Sequence, residues 1–215
     1  VGSEMCIRDR YDATQGEVLV DGVNVKDYDI EALRNKVGIV MQKAVLFKGT
    51  IRENMWMGKK GATDEQIDEA LEISQSKEFV DSKQGRLDYV IEQGGKNLSG
   101  GQRQRLTIAR AIVRKPDVLI LDDSASALDF ATDAALRKAI RGMNNSPTVF
   151  IVSQRAASLM YADLIIVLDD GQVAGMGTHD ELLANCEVYK EIYESQFKKA
   201  DSEDRQYAIS VYGSY

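Results

Sequence analysis

Four consecutive apolar residues, Val118-Leu119-Ile120-Leu121, run directly into two carboxylates, Asp122 and Asp123. An apolar run of strand length predicts a strand buried on both faces, as inside a parallel sheet. Lys115-Pro116 stands just before it, and the residue preceding a proline is pushed out of the helical region, so any upstream helix stops there. Helix, break and buried strand in that order predict an α/β chain with a mostly parallel sheet covered on both faces. The carboxyl end of such a strand lies at the edge where open α/β sheets bind ligands. A carboxylate placed there can hold Mg²⁺ through water, since Mg²⁺ takes few direct protein ligands. Alone, the same pattern also describes an ordinary strand followed by an acidic turn.

The rest of the chain alternates short strands and helices. Strands are expected at Glu17–Val20, ended by the turn pair Asp21-Gly22, at Val37–Met41 and at Thr148–Val152. Leu164–Leu168 and Gln172–Met176, joined by Asp169-Asp170-Gly171, read as a hairpin. Helices are expected at Ile30–Asn35, after the capping pairs Thr50/Glu53 and Thr63/Gln66, from Ser99 to Arg114, and at Thr132–Ile140, Asp180–Ala184 and Val188–Phe197. The stretch from Gln42 to Lys115 offers no central strand and reads as a helical insertion, about 43–115. Residues 1–10 have no helical or strand period and read as a non-native scar; 11–200 read as one domain and 201–215 as a flexible polar tail.

Composition narrows the function classes. The chain has 215 residues, with 27 Lys and Arg against 34 Asp and Glu, a formal charge of −7. That balance argues against a general nucleic-acid binder, which needs a basic face to release phosphate counterions. No apolar run reaches the ~18–20 residues that span a bilayer. A single histidine, His179, rules out a histidine metal cluster, and its place in Gly177-Thr178-His179-Asp180-Glu181 points to opening a helix. Cys6 and Cys186 are far apart and read as plain thiols.

A second motif, Leu98-Ser99-Gly100-Gly101-Gln102, opens the long helix expected before the apolar strand. Helix N-termini carry unpaired N–H groups and a partial positive charge, and small residues let a phosphate come close. Leu98–Gln102, the strand Val118–Asp122 and Ser126–Asp129 occur in the order and spacing of the signature, Walker B strand and D-loop of ATP-binding cassette (ABC) proteins. The chain resembles that nucleotide-binding domain from about Tyr11 to Phe197. The resemblance implies a P-loop NTPase (RecA-like) core with a helical signature subdomain, binding ATP and Mg²⁺. Gln42 matches the Q-loop glutamine, and Glu92 the acid that faces a transmembrane domain. The phrase Gln42–Asn54 is similar to the exporter branch, in which each chain also carries a membrane domain and two cassettes sandwich two ATP molecules.

Three departures qualify the resemblance. No G-x-x-x-x-G-K-[ST] loop is present, so the N-terminal strand and Walker A region are read as missing from a truncated sequence. Asp123 stands where the family usually has a glutamate that polarises the attacking water, and Gln154 where it usually has a switch histidine. The resemblance puts both at one catalytic site, the pattern of a degenerate-site subunit in a heterodimeric exporter.

The expected roles follow from the matched motifs. Asp122, with Gln42, holds Mg²⁺ through water; Asp123 weakly orients water; Gln154 touches the γ-phosphate. Ser99, Gly100, Gly101, Gln102 and Asp129 contact the partner's ATP. Arg103 and Arg105 are expected as helix-surface or interdomain charges. The whole is an ATP-hydrolysing exporter subunit at the cytoplasmic face of the cell membrane, with a second cassette and its own transmembrane domain as partners, no nucleic acid, and an inactive isolated fragment. The alternatives are a non-catalytic or regulatory nucleotide-sandwich module, and a soluble cassette ATPase of repair or translation.

Overall fold

The computed structural model describes residues 13–124 and 127–196. The expected scar, Cys6, Ser126, Phe197 and the polar tail lie outside them. The chain divides into two compact units, before and after the Val152–Ser153 link.

The first unit opens with a hairpin, β1 (Leu19–Val20) and β2 (Val23–Asn24), turned at Asp21 and Gly22, both in the left-handed region. Helix α1 (Ile30–Lys36), capped by the Asp29 carboxylate, leads into β3 (Val37–Val40). A two-residue strand β4 (Gly49–Thr50) pairs antiparallel with β5 (Val90–Ile91). Between them lie α2 (Ile51–Trp56), α3 (Asp64–Ile73) and α4 (Lys77–Asp81). Helix α5 (Gly100–Ile112) then delivers the chain to β6 (Val118–Asp122), α6 (Phe130–Arg141) and β7 (Thr148–Val152). The capping boxes expected at Thr50/Glu53 and Thr63/Gln66 both form, and a third forms at Ser99/Gln102. Ser99 is thus the cap rather than the first helical residue.

The parallel sheet runs in the order β3-β6-β7, with Val37 and Thr148 flanking Val118. Its central strand is covered on both faces, as its unbroken apolar run demands. Leu119 and Leu121 pack into the larger core with Leu106, Ile108 and Leu136, while Ile120 packs with Val20, Leu33 and Val37. That larger core continues into the helical stretch through Leu46, Ile51, Met55, Ile67 and Leu71. Coverage on both faces does not extend to the edge strand. In β7, Val149 and Ile151 pack against the larger core, but Phe150 and Val152, on the Ile120 face, are about half exposed among the described residues. Period-2 alternation explains the split: β7 meets its core with alternate residues only.

The second unit holds α7 (Ala156–Leu159), the hairpin β8 (Ile165–Asp169) and β9 (Gln172–Gly177), α8 (His179–Asn185) and a helical stretch over 187–196. The expected turn forms with Asp170 and Gly171 both left-handed. Ile165 and Val167 pack with Leu182, Cys186 and Tyr189. Cys186 is a buried free thiol. No helix among the described residues is long and apolar enough to cross a membrane.

Candidate functional site

The carboxyl ends of β3 and β6 bring Gln42 and Asp123 together, 81 positions apart in the chain, with Gln42 Nε2 donating to Asp123 Oδ2 at 3.2 Å. Asp122 ends β6, and Asp123 follows it at φ 42, a left-handed backbone, with its N–H held by the Val152 carbonyl at 2.8 Å. Aspartate tolerates that conformation better than most side chains. The strand therefore stops abruptly and sends its second carboxylate toward Gln42. Both aspartates are half-buried and Gln42 is exposed. Among the described residues no group of three or more His, Cys, Asp or Glu forms a metal cage. Two adjacent carboxylates and an amide oxygen at an open edge fit Mg²⁺, which keeps most of its waters.

The Ser99 cap forms a second cluster. Ser99 Oγ accepts from Gln102 N at 3.2 Å, and Gln102 Oε1 accepts from Ser99 N at 3.1 Å. This box occupies acceptor atoms. It leaves the Ser99 hydroxyl hydrogen, the Gln102 side-chain amide hydrogens and the Gly100 and Gly101 N–H groups as donors at one helix tip. Helices α3 and α8 carry acidic residues in their first turns, whereas α5 carries none, so its N-terminal partial charge is not offset there. Ser99 and Gly100 are exposed. A Cβ on Gly101 would sit 3.3 Å from the Ala127 carbonyl oxygen, so α5 approaches the segment leading to Asp129 closely. The tip fits a phosphate in charge and in access.

Asp129 caps α6, with Oδ1 accepting from Thr132 N at 2.9 Å and Oδ2 from the Thr132 hydroxyl at 2.7 Å. Those bonds hold its carboxyl below the usual carboxylate range. A depressed folded-state pKa supports folding above the unfolded value, near 4, and that support fades as pH falls through the folded value. Amide exchange at 130–133 is therefore expected to quicken on acidification below about pH 4, and Asp129→Asn, which caps without titrating, should flatten the response.

Arg103 and Arg105 are not free surface charges. Arg103 Nη1 donates to the Leu98 carbonyl at 2.8 Å, Arg105 Nη1 to the Gln75 carbonyl at 2.5 Å, and Arg114 Nη1 to the Arg34 carbonyl at 2.7 Å. Arginine offers five donors in a fixed fork, and a neutral carbonyl can accept from it, though more weakly than a carboxylate. Glu92 is exposed on a loop stapled by Asn97, whose Oδ1 accepts from Glu92 N at 3.0 Å and whose Nδ2 donates to the Val90 carbonyl at 2.9 Å. Sequence reasoning missed Asn54. It is fully buried, accepts from Phe47 N at 3.0 Å and donates to the carbonyls of Phe47 at 2.9 Å and Thr50 at 3.0 Å. The available signal was its place three residues after Ile51 and next to Met55, on the apolar side of a short helix.

In the second unit, Gln154 is exposed, and its carbonyl accepts from Gln196 Nε2 at 2.7 Å. His179 is the first residue of α8 behind the Thr178 cap, as expected. Its Nδ1 also lies 2.8 Å from the Tyr189 hydroxyl, a contact across ten residues that the sequence did not announce. Burial pushes the Tyr189 phenol up.

A family model described as ABC transporter matches residues 4–126. An uncharacterised ABC transporter ATP-binding protein of Bacillus subtilis is 44% identical over 193 residues, covering 90% of this chain and 33% of its own length. A protein of Staphylococcus aureus named as a putative multidrug export ATP-binding/permease protein is 38% identical over 186 residues, covering 86% and 32%. A solved bacterial Atm1-family ABC exporter with ATP bound superposes with a TM-score of 0.84 at 32% identity, over 90% of this chain and 34% of that one. The chain thus spans about a third of the length of the curated relatives it matches.

Proposed function

Because the chain belongs to the ABC transporter family, we propose that it is the ATP-binding part of an exporter subunit whose Ser99 tip acts on a nucleotide held by a second cassette. Exporter-named relatives and an exporter structure at a TM-score of 0.84 support the direction of transport. The single observation that carries the reading is the Ser99/Gln102 box, which consumes acceptors and leaves a cluster of donors on an exposed, uncompensated helix tip.

When bound, Mg·ATP supplies the cleavable phosphoanhydride and the metal's charge. The chain's own contribution is positional. Asp122 and Gln42 would hold the metal's waters, and Asp123 would orient the attacking water from a short side chain. Gln154, on its family position, would donate to the γ-phosphate without a titratable proton. With Asp123 and Gln154 in these places, this subunit's own site is the slow one of a heterodimer, and its tip serves the fast one. Residues 43–115 are read as the helical subdomain that carries the tip, and a membrane domain of the same protein as the element that Gln42 and Glu92 address at the cytoplasmic face.

Ser99→Asp tests this reading. Aspartate caps a helix as well as serine does, so the unfolding midpoint should hold. Its charge faces the incoming phosphate at a cost of ~1 kcal/mol or more per unit pair, so hydrolysis by the assembled pair should fall by about tenfold. Full activity in a folded Ser99→Asp assembly would show that the tip does not meet a nucleotide.

A further inference from the structure

Arg110 lies on the row of α5 that also carries Arg103 and Leu106. Its Nη2 donates to the Val45 carbonyl at 2.9 Å, and its guanidinium sits 5.8 Å from the centre of the Phe47 ring. Val45 and Phe47 follow Gln42 closely, and both side chains are about half exposed, 45% and 50%. Only Leu46 between them enters the core, at 1% exposure, so burial alone gives this stretch little hold. Asn54 fixes the main chain at Phe47, and Arg110 fixes it at Val45.

The environment of Arg110 is not that of an ion pair. Burial alone pulls its pKa down, with no carboxylate among the causes. Its Nη1 is buried and has no hydrogen-bond partner among the described residues. Buried donors are almost always paired, and an exception asks for an explanation. A charged fork here, with one arm on a carbonyl and one face on a ring, is held to this segment by a directed hydrogen bond and a ring contact rather than by a carboxylate.

We infer that Arg110 is a positioning residue: by gripping the Val45 carbonyl and the Phe47 ring, it ties the segment carrying Gln42 to the helix that begins at Ser99, so that displacement of one is transmitted to the other. The helix between Ser99 and Arg110 is a lever of roughly 16 Å at 1.5 Å per residue. The coupling rests on the proposed function only for what Gln42 does at its far end.

The test has one arm without nucleotide and one with it. Hydrogen exchange on this chain would compare Arg110→Met and Arg110→Lys with the parent, reading the Phe47 amide, residues 99–103, and residues 118–122 as an internal reference. Losing a charged hydrogen bond to Val45 is expected to speed exchange at Phe47 by about tenfold. It should also speed exchange measurably at 99–103, with 118–122 unchanged. Arg110→Lys keeps one donor and should recover a clear part of the protection. The inference fails if Phe47 exchange is unchanged in Arg110→Met, if 118–122 accelerates equally, or if the Lys and Met variants are alike. In an ATP-hydrolysing assembly containing the chain, Arg110→Met should lower kcat while leaving KM for ATP within about twofold. A rise in KM alone would overturn the positioning role. Loss of the exchange effect defeats this inference and leaves the proposed function standing; an intact exchange effect in a chain that never supports hydrolysis defeats the proposed function instead.

Discussion

Asp123→Glu is expected to raise ATP hydrolysis at the site on the carboxyl edge of the β3-β6-β7 sheet by about 10²-fold. The position follows the last strand residue directly, and its left-handed backbone sends the carboxylate toward Gln42 Nε2 at 3.2 Å. Glutamate is longer by one methylene, which carries the carboxylate about 1.5 Å further out. A displacement near 1 Å in a group that positions a reacting water is worth roughly two orders of magnitude, and general-base help at full reach is worth 10²–10⁴-fold on the same scale. The measurement is single-turnover hydrolysis in an assembly whose partner site has been inactivated, so that only this site reports. An unchanged rate would remove the short side chain as a reason for the slow turnover proposed for this site. Gln154→His on the same background then tests the second departure in the same assay.

Gly58→Ala is expected to destabilise the first unit by about 3 kcal/mol, at the upper end of overpacking costs. A Cβ at this position would overlap the Arg110 carbonyl oxygen and lie 2.8 Å from Val113 Cγ1 and 3.1 Å from the Arg110 carbonyl carbon. Two of those atoms belong to the main chain of α5, which is packed into the larger core and cannot yield by turning a rotamer. With a urea slope of about 1–3 kcal/mol/M, the unfolding midpoint should drop by ~1–3 M. Gly61→Ala separates overlap from backbone strain. Gly61 has a left-handed φ of 72 but nothing within 4 Å of an added Cβ. It should cost only the conformational penalty, about 1–2 kcal/mol. Equal losses in the two variants would show that close packing of residue 58 on α5 is not what matters.

The parts legible in the sequence were those written in short stretches. Thr50/Glu53 and Thr63/Gln66 satisfy their helix ends within four residues, so reading them required no tertiary knowledge; the Ser99/Gln102 box is as local, but there only the glycines and the serine were read. The β6 run and the Asp170-Gly171 turn are similarly local. The extent of sheet coverage was not local. Phe150 and Val152 alternate with Val149 and Ile151 as any strand would, and only the register beside Leu119 and Leu121 decides which pair meets the core. The site divides the same way. Gln42, Asp122, Asp123 and the Ser99 tip could be named from motifs, but the Gln42–Asp123 bond and the Arg110 grip on Val45 close over 81 and 65 positions. Arg103 and Arg105 were read as helix-surface or interdomain charges, and their bonds to the Leu98 and Gln75 carbonyls went unread because a main-chain acceptor leaves no mark in the sequence.

Arg103, Arg105, Arg110 and Arg114 all close on peptide oxygens, at Leu98, Gln75, Val45 and Arg34. A peptide oxygen cannot be substituted away by a point mutation, and it does not gain or lose a proton in the range where proteins live. The four bonds therefore make no demand on the side chains at the receiving positions, although Leu98 is held by its place in the larger core. Vulnerability is concentrated on the donor side, in a handful of codons in α5 and the turn that follows it.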